Sequence, residues 1–146
     1  MRGYEVQVEV AARPVEDTGR MVVVGLPDAA VRESVQRVTS ALTNSSFFRP
    51  GDVLVTVNLA PADVRKQGPG FDLPIALALE MAIQENYRDV PAAFKRRVPT
   101  GLDAWCLVGE LALDGVVRGV RGVLPLAVAA REAGRSCMMV ARENAA

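Results

Sequence analysis

The spacing of apolar residues changes period along the chain. From Tyr4 to Ala11, Val6, Val8 and Val10 alternate with Glu5, Gln7 and Glu9. That two-residue period predicts a strand with one wet face. Arg13 to Thr18 is a polar turn containing Pro14, and Gly19 to Val24 is an apolar, β-branched run. The run predicts a second, more buried strand that pairs back on the first as a hairpin. Gly25-Leu26-Pro27-Asp28 breaks it, with Asp28 placed to cap a helix. Val31, Val35, Val38 and Leu42 then recur at helical spacing, with Arg32, Glu33, Gln36 and Arg37 outside. The helix frays at Asn44-Ser45-Ser46.

Asp52 to Leu59 reads as a third strand, with Val53, Val55, Val57 and Leu59 on one face and Leu54 on the other. A long loop from Ala60 to Gly70 follows. Asp72 is the expected N-cap of the next helix, and Pro74 falls in its first turn, where proline is tolerated. This helix runs to about Gln84 and is apolar nearly all round, so it is a buried helix or one that takes a partner. Glu85 to Thr100 is polar and reads as a variable insertion. Trp105 to Leu113 predicts a strand, Asp114-Gly115 a hairpin turn, and Val116 to Val120 the return. Val123 to Ala133 predicts a third helix ended by Gly134, and Ser136 to Val140 a last strand. Ala141 to Ala146 carries no stop signal and reads as continuing into further sequence. This order predicts an α/β chain, an α+β two-layer sandwich, forming a single domain over residues 1–146.

Composition narrows the chemistry. The chain has 146 residues, half of them hydrophobic, enough for one sizeable core. No apolar run reaches the roughly 18 residues of a membrane span, and Met1-Arg2-Gly3 leads into no apolar signal region. A cytoplasmic protein without membrane contact is the simplest expectation. Charge balances at 17 basic and 17 acidic residues, which argues against bulk attraction to nucleic acid but leaves room for a local patch. Cys106 and Cys137 sit among apolar residues and are expected as buried, reduced thiols.

There is no histidine, which removes Ser-His-Asp and Cys-His catalysis and the commonest zinc ligand. Ser-Lys or carboxylate chemistry remains. The chain has neither a G-x-x-x-x-G-K-[ST] loop nor a G-x-G-x-x-G after a strand, so no ATPase site is expected within it. Gly68-Pro69-Gly70, ahead of a helix, has the form of a phosphate cradle, although Asp72 would put its own carboxylate at that helix end. A structural turn is the plainer reading. Arg65 and Lys66 form a cationic pair in the same loop, suited to an anion, a nucleic acid backbone or a neighbouring subunit's carboxylate. Lys95-Arg96-Arg97 lacks interleaved aromatics and reads as a solvated face. Nothing in the spacing of Asp63, Asp72, Asp103, Glu110 and Asp114 brings any two together as an acid–base pair.

Several blocks carry a resemblance. Gly25-Leu26-Pro27-Asp28-Ala29-Ala30-Val31-Arg32-Glu33-Ser34, the run from Val57 through Asn58, Asp63, Lys66, Gly68, Gly70 and Asp72 to Ala76, Val108 to Gly115, Arg121 to Pro125, and Glu143-Asn144-Ala145 occur in that order. Together they resemble the N-terminal Lon-protease-like, ChlI-type domain of magnesium-chelatase-like AAA+ ATPases of the ComM/YifB family. The chain starts about a dozen residues later than a typical member, and residues 85–100 match no block. The resemblance implies a fold like domain 2 of ribosomal protein S5, as in Lon peptidase domains. It also implies a AAA+ module C-terminal to residue 146, which would bind ATP and Mg2+, in a hexamer acting in DNA branch migration during natural transformation. The expected partners are that module, neighbouring subunits and DNA, with no cofactor or metal in the present chain.

Lon peptidases use a Ser-Lys dyad. By the resemblance, Gly70 stands where the serine would be and Leu124 where the lysine would be. Glycine offers no nucleophile and leucine cannot activate one, so the chain is expected to be no enzyme. Contact with DNA or a subunit is expected at Asn58, Asp63, Arg65, Lys66, Gly68, Gly70, Asp72, Arg118 and Arg121. The alternative is a cryptic phosphate, small-ligand or hydrolytic site in the Gly68–Asp72 loop.

Overall fold

The computed structural model describes residues 3–47, 49–97 and 99–146. Its organising strand is β3 (Val53–Ala60), whose Val53, Val55, Val57 and Leu59 are all buried. A strand that apolar belongs in the middle of a sheet. β1 (Gln7–Pro14) lies antiparallel on one side of it and β2 (Arg20–Val24) parallel on the other. The expected β1–β2 hairpin therefore does not form. The linking residues cross the start of β3 instead: the amides of Val15 and Gly19 donate to the carbonyls of Asp52 and Gly51. Gly19 is needed there, since a Cβ would lie 2.1 Å from the Val53 carbonyl oxygen.

Two helices cover the inner face of this sheet. α1 (Ala29–Asn44) starts where Asp28 accepts a hydrogen bond from the Val31 amide, and it buries Val31, Ser34, Val38, Ala41 and Leu42. α2 (Asp72–Asn86) buries Ile75, Ala76, Leu79, Ala82 and Ile83. Each large aliphatic side chain so buried contributes about 1.5–3 kcal/mol. The insertion packs back on α2: Gln84 donates to the Phe94 carbonyl and accepts from the Arg96 amide.

The predicted strand from Trp105 to Leu113 is two strands. β4 (Trp105–Leu107) pairs in parallel with β7 (Cys137–Met139), whereas β5 (Glu110–Leu111) pairs with β6 (Val117–Arg118). The break at Val108–Gly109 is held by other partners, since the Val108 amide donates to Met139 and the Gly109 amide to Gly70. Cys106 and Cys137 are free thiols, half-buried rather than buried. α3 (Val123–Glu132) leads into Gly134, which is left-handed at φ 79°. No described helix is long and apolar enough to cross a membrane.

Candidate functional site

The loop after β3 returns against the start of α1. The Lys66 amide donates to the Leu26 carbonyl and the Asp28 amide to the Lys66 carbonyl, so two distant sequence blocks bind each other through their backbones. The Asp28 carboxylate joins them again: beyond capping Val31 it accepts from the Gly68 amide at 3.2 Å. Lys66 is fully buried, and its ammonium donates to the Pro61 carbonyl. The surface cation of the loop is Arg65, whose own carbonyl accepts from the Tyr4 hydroxyl at 2.7 Å.

Asp72 is the second fixed point. It is fully buried and does not cap its helix as expected. Its carboxylate accepts from Ser34 Oγ at 2.5 Å, from Arg37 Nε at 2.6 Å and Nη2 at 3.0 Å, and from the Leu111 amide at 3.0 Å. One side chain thus ties α1, α2 and β5 together. The Asp72 hydrogen bonds hold the Arg37 guanidinium above its ordinary pKa, with burial opposing them. Ser34 and Arg37 escaped the sequence reading, which placed Arg37 outside. A signal was present, because Ser34 falls on the same stripe as Val31 and Val38.

The remaining expected residues scatter. Asn58 lies on β3 with its side chain on the outer face, between Glu9 and Val24 in register. Asp63 is exposed, as are Arg118 and Arg121. Gly70 packs tightly, since a Cβ there would come within 2.9 Å of Val108 Cγ2. Leu124 is 76% exposed. Glu143 accepts from the Gly119 amide, and Asn144 pairs with Val120 through both side-chain amide atoms, at 2.9 and 3.0 Å. The last block therefore fixes the turn that carries Arg121.

Arg65, Gly68, Gly70 and Arg121 share the wall of one open groove of about 1340 Å³. Among the described residues no cluster of three or more Cys, Asp or Glu is arranged to hold a metal ion. Cys106 also lines the groove; burial, then the nearby Glu5, push its thiol pKa up, so little of it is thiolate at neutral pH.

The family model described as "Subunit ChlI of Mg-chelatase" matches residues 8–144. The chain belongs to this ChlI family. It is 44% identical over 126 residues to YifB of Salmonella typhimurium, covering 86% of this chain and 22% of that protein. It is 42% identical over 122 residues to the competence protein ComM of Haemophilus influenzae, covering 84% and 21%. Lon protease 2 of Bacillus subtilis is 22% identical over 156 residues, covering 97% and 26%. This ChlI-family chain thus spans about a fifth of the length of its ComM and YifB relatives. The motif blocks fall on the joints of the fold: Asp28, Lys66 and Asp72 hold elements together.

Proposed function

We propose that the chain is a non-catalytic accessory domain of a magnesium-chelatase-like AAA+ ATPase in the cytoplasm. In this reading the domain has the ribosomal S5 domain 2-like fold of Lon peptidases, and the ATPase module follows it and holds ATP and Mg2+. The domain helps that module assemble with its neighbours into a hexamer and engage DNA during branch migration in natural transformation. The observation that carries the reading is the use of the motif residues. Lys66 and Asp72 are wholly buried in bracing contacts, and the dyad positions hold Gly70 and the exposed, apolar Leu124. The 42% identity to a competence protein supports the cellular setting.

The surface available for DNA is cationic and sparse. Arg65 and Arg121 stand exposed on the groove wall, with Arg118 two residues after Val116 in the neighbouring hairpin. The Gly68 amide already serves Asp28, which counts against a phosphate cradle in the Gly68–Asp72 loop. Fluorescence anisotropy with single-stranded and forked DNA at two salt concentrations tests the reading. Salt-dependent binding is expected, and Arg65→Ala with Arg118→Ala and Arg121→Ala should flatten the salt slope by about one for each phosphate no longer neutralised. Binding that is absent at low salt, or unmoved by the triple change, would remove DNA engagement and leave assembly as the role.

A further inference from the structure

The two faces of the β1-β3-β2 sheet differ. Val8, Val10, Met21 and Val23 turn inward and pack on the core. The residues between them turn outward, and no described element covers them: Glu9, Ala11, Arg13, Val22, Val24 and Thr56 are all exposed. A sheet with one wet face carries apolar residues inside and polar ones outside. β1 obeys this, with Gln7, Glu9 and Arg13 outward. β2 does not, since its outward Val22 and Val24 are 36% and 43% exposed. Among the described residues, the side chains of Glu9, Arg13 and Arg20 have no hydrogen-bond or ion-pair partner. Their charges are therefore available to a partner.

The strand register arranges these residues in three rows across the sheet. Arg13, Leu54 and Arg20 form the first row, Ala11, Thr56 and Val22 the second, and Glu9, Asn58 and Val24 the third. The first row is basic, the third acidic, and the one between them uncharged. We propose that this outer face docks a second copy of the chain, sheet on sheet, about a two-fold axis that runs across the strands through the middle row. Such an axis lays β1 on β1 and β2 on β2 with the strands reversed. Glu9 then meets Arg13 of the second copy, and Arg13 meets its Glu9. Val22 meets Val22 and Thr56 meets Thr56 on the axis, and the aliphatic stem of Arg20 covers Val24 of the second copy.

Charge and symmetry choose the occupant. A partner surface must carry the reverse order of charge along the strands to satisfy both end rows at once, and the two-fold copy of this face has that order. The charges also fix the register: with the axis between the second and third rows, Glu9 would face Ala11 and both ion pairs would be lost. A phosphate backbone would suit Arg13 and Arg20 but would meet Glu9 at the other end. The face spans about 14 Å across its three strands and about 20 Å along β1. That is small beside the roughly 800 Å² per partner of a standard interface, so the contact is weak and concentration-dependent. An isologous contact closes at two copies and builds no ring of six by itself. It therefore stands apart from hexamer assembly through the ATPase module and from DNA binding, and survives the failure of either reading.

Sedimentation velocity of the chain from about 10 µM to about 1 mM should show a monomer–dimer equilibrium that weakens as salt screens the end rows. Glu9→Arg and Arg13→Glu should each weaken the dimer about tenfold, because each sets two like-charged pairs across the axis. Mixed in equal amounts, these two variants should form a heterodimer at least as tight as the unchanged dimer, since every facing pair is again opposite in sign. Both exchanges in one chain should restore the homodimer. Val22→Asp, on the axis, should leave a monomer with unchanged helical circular dichroism. A chain still monomeric at about 1 mM would overturn the proposal, as would a dimer that the single reversals leave unmoved or that mixing fails to restore. Oligothymidine that shifts the amide resonances of Arg13, Val22 and Thr56, in a chain that forms no dimer, would give the face to nucleic acid instead.

Discussion

Asp72 concentrates much of the architecture in one side chain. Four donor atoms from two elements, α1 and β5, converge on a carboxylate without solvent access. Removing its charge leaves Arg37, 18% exposed at the side chain, facing a neutral amide. An unmatched charge at a buried site costs about 3 kcal/mol or more. Asp72→Asn should therefore lower the unfolding free energy in urea by about 3 kcal/mol, read from the transition midpoint at constant slope. A loss within about 0.5 kcal/mol, the range of a neutral surface change, would mean that the three donor residues find other partners. The sequence made Asp72 visible as a residue at a helix start. Its true partners were not visible, because Ser34 and Arg37 lie 38 and 35 positions away. The same holds for Lys66: local polarity suggested a surface cation, and only the return of the loop onto Leu26 and Pro61 buries it. Arg65, Arg118 and Arg121 are exposed.

At the scale of elements, period together with caps and breakers placed α1, α2, α3 and the strands around β3 to within a few residues. Pairing was harder to read. A five-residue link between β1 and β2 is an ordinary hairpin length, but β3 carries the stronger apolar face and takes the centre. Hydrophobic demand beat local connectivity. The split of β4 from β5 was equally hidden, because the partners of Val108 and Gly109 lie in Met139 and Gly70. The joint that fixes α1 was legible on one side only: Asp28 was seen as a cap and not as the acceptor for Gly68. Asp28→Ala should thus cost more than a plain cap, at the upper end of the roughly 0.5–2 kcal/mol range. It should also speed amide exchange at Gly68 as well as at Val31. A loss confined to Val31 would show that the Gly68 hydrogen bond contributes nothing.

The whole molecule divides by burial. β1, β2, β3, α1 and α2 enclose the core, in which Val57, Leu59, Ile75 and Leu79 have no exposed surface. β4, β7 and α3 bury none of their residues, and α3 touches the other elements only sparsely. They are fastened at their margins by Glu5–Arg135 and by the Glu143 and Asn144 contacts. The ion pair is half-exposed, so it is screened by salt and adds little. Regions with few buried apolar contacts open at lower free energy than the core. Native-state hydrogen exchange should accordingly find α3 and β7 opening well below the global unfolding free energy, with β3 and α2 exchanging only by global unfolding. Trp105, in β4, should report its transition at lower urea than the helical signal, and the gap should widen in high salt as the pair to Glu5 weakens. Coincident transitions by the two probes would show one cooperative unit instead, with the margin contacts coupling α3 to the core far more strongly than their exposure implies.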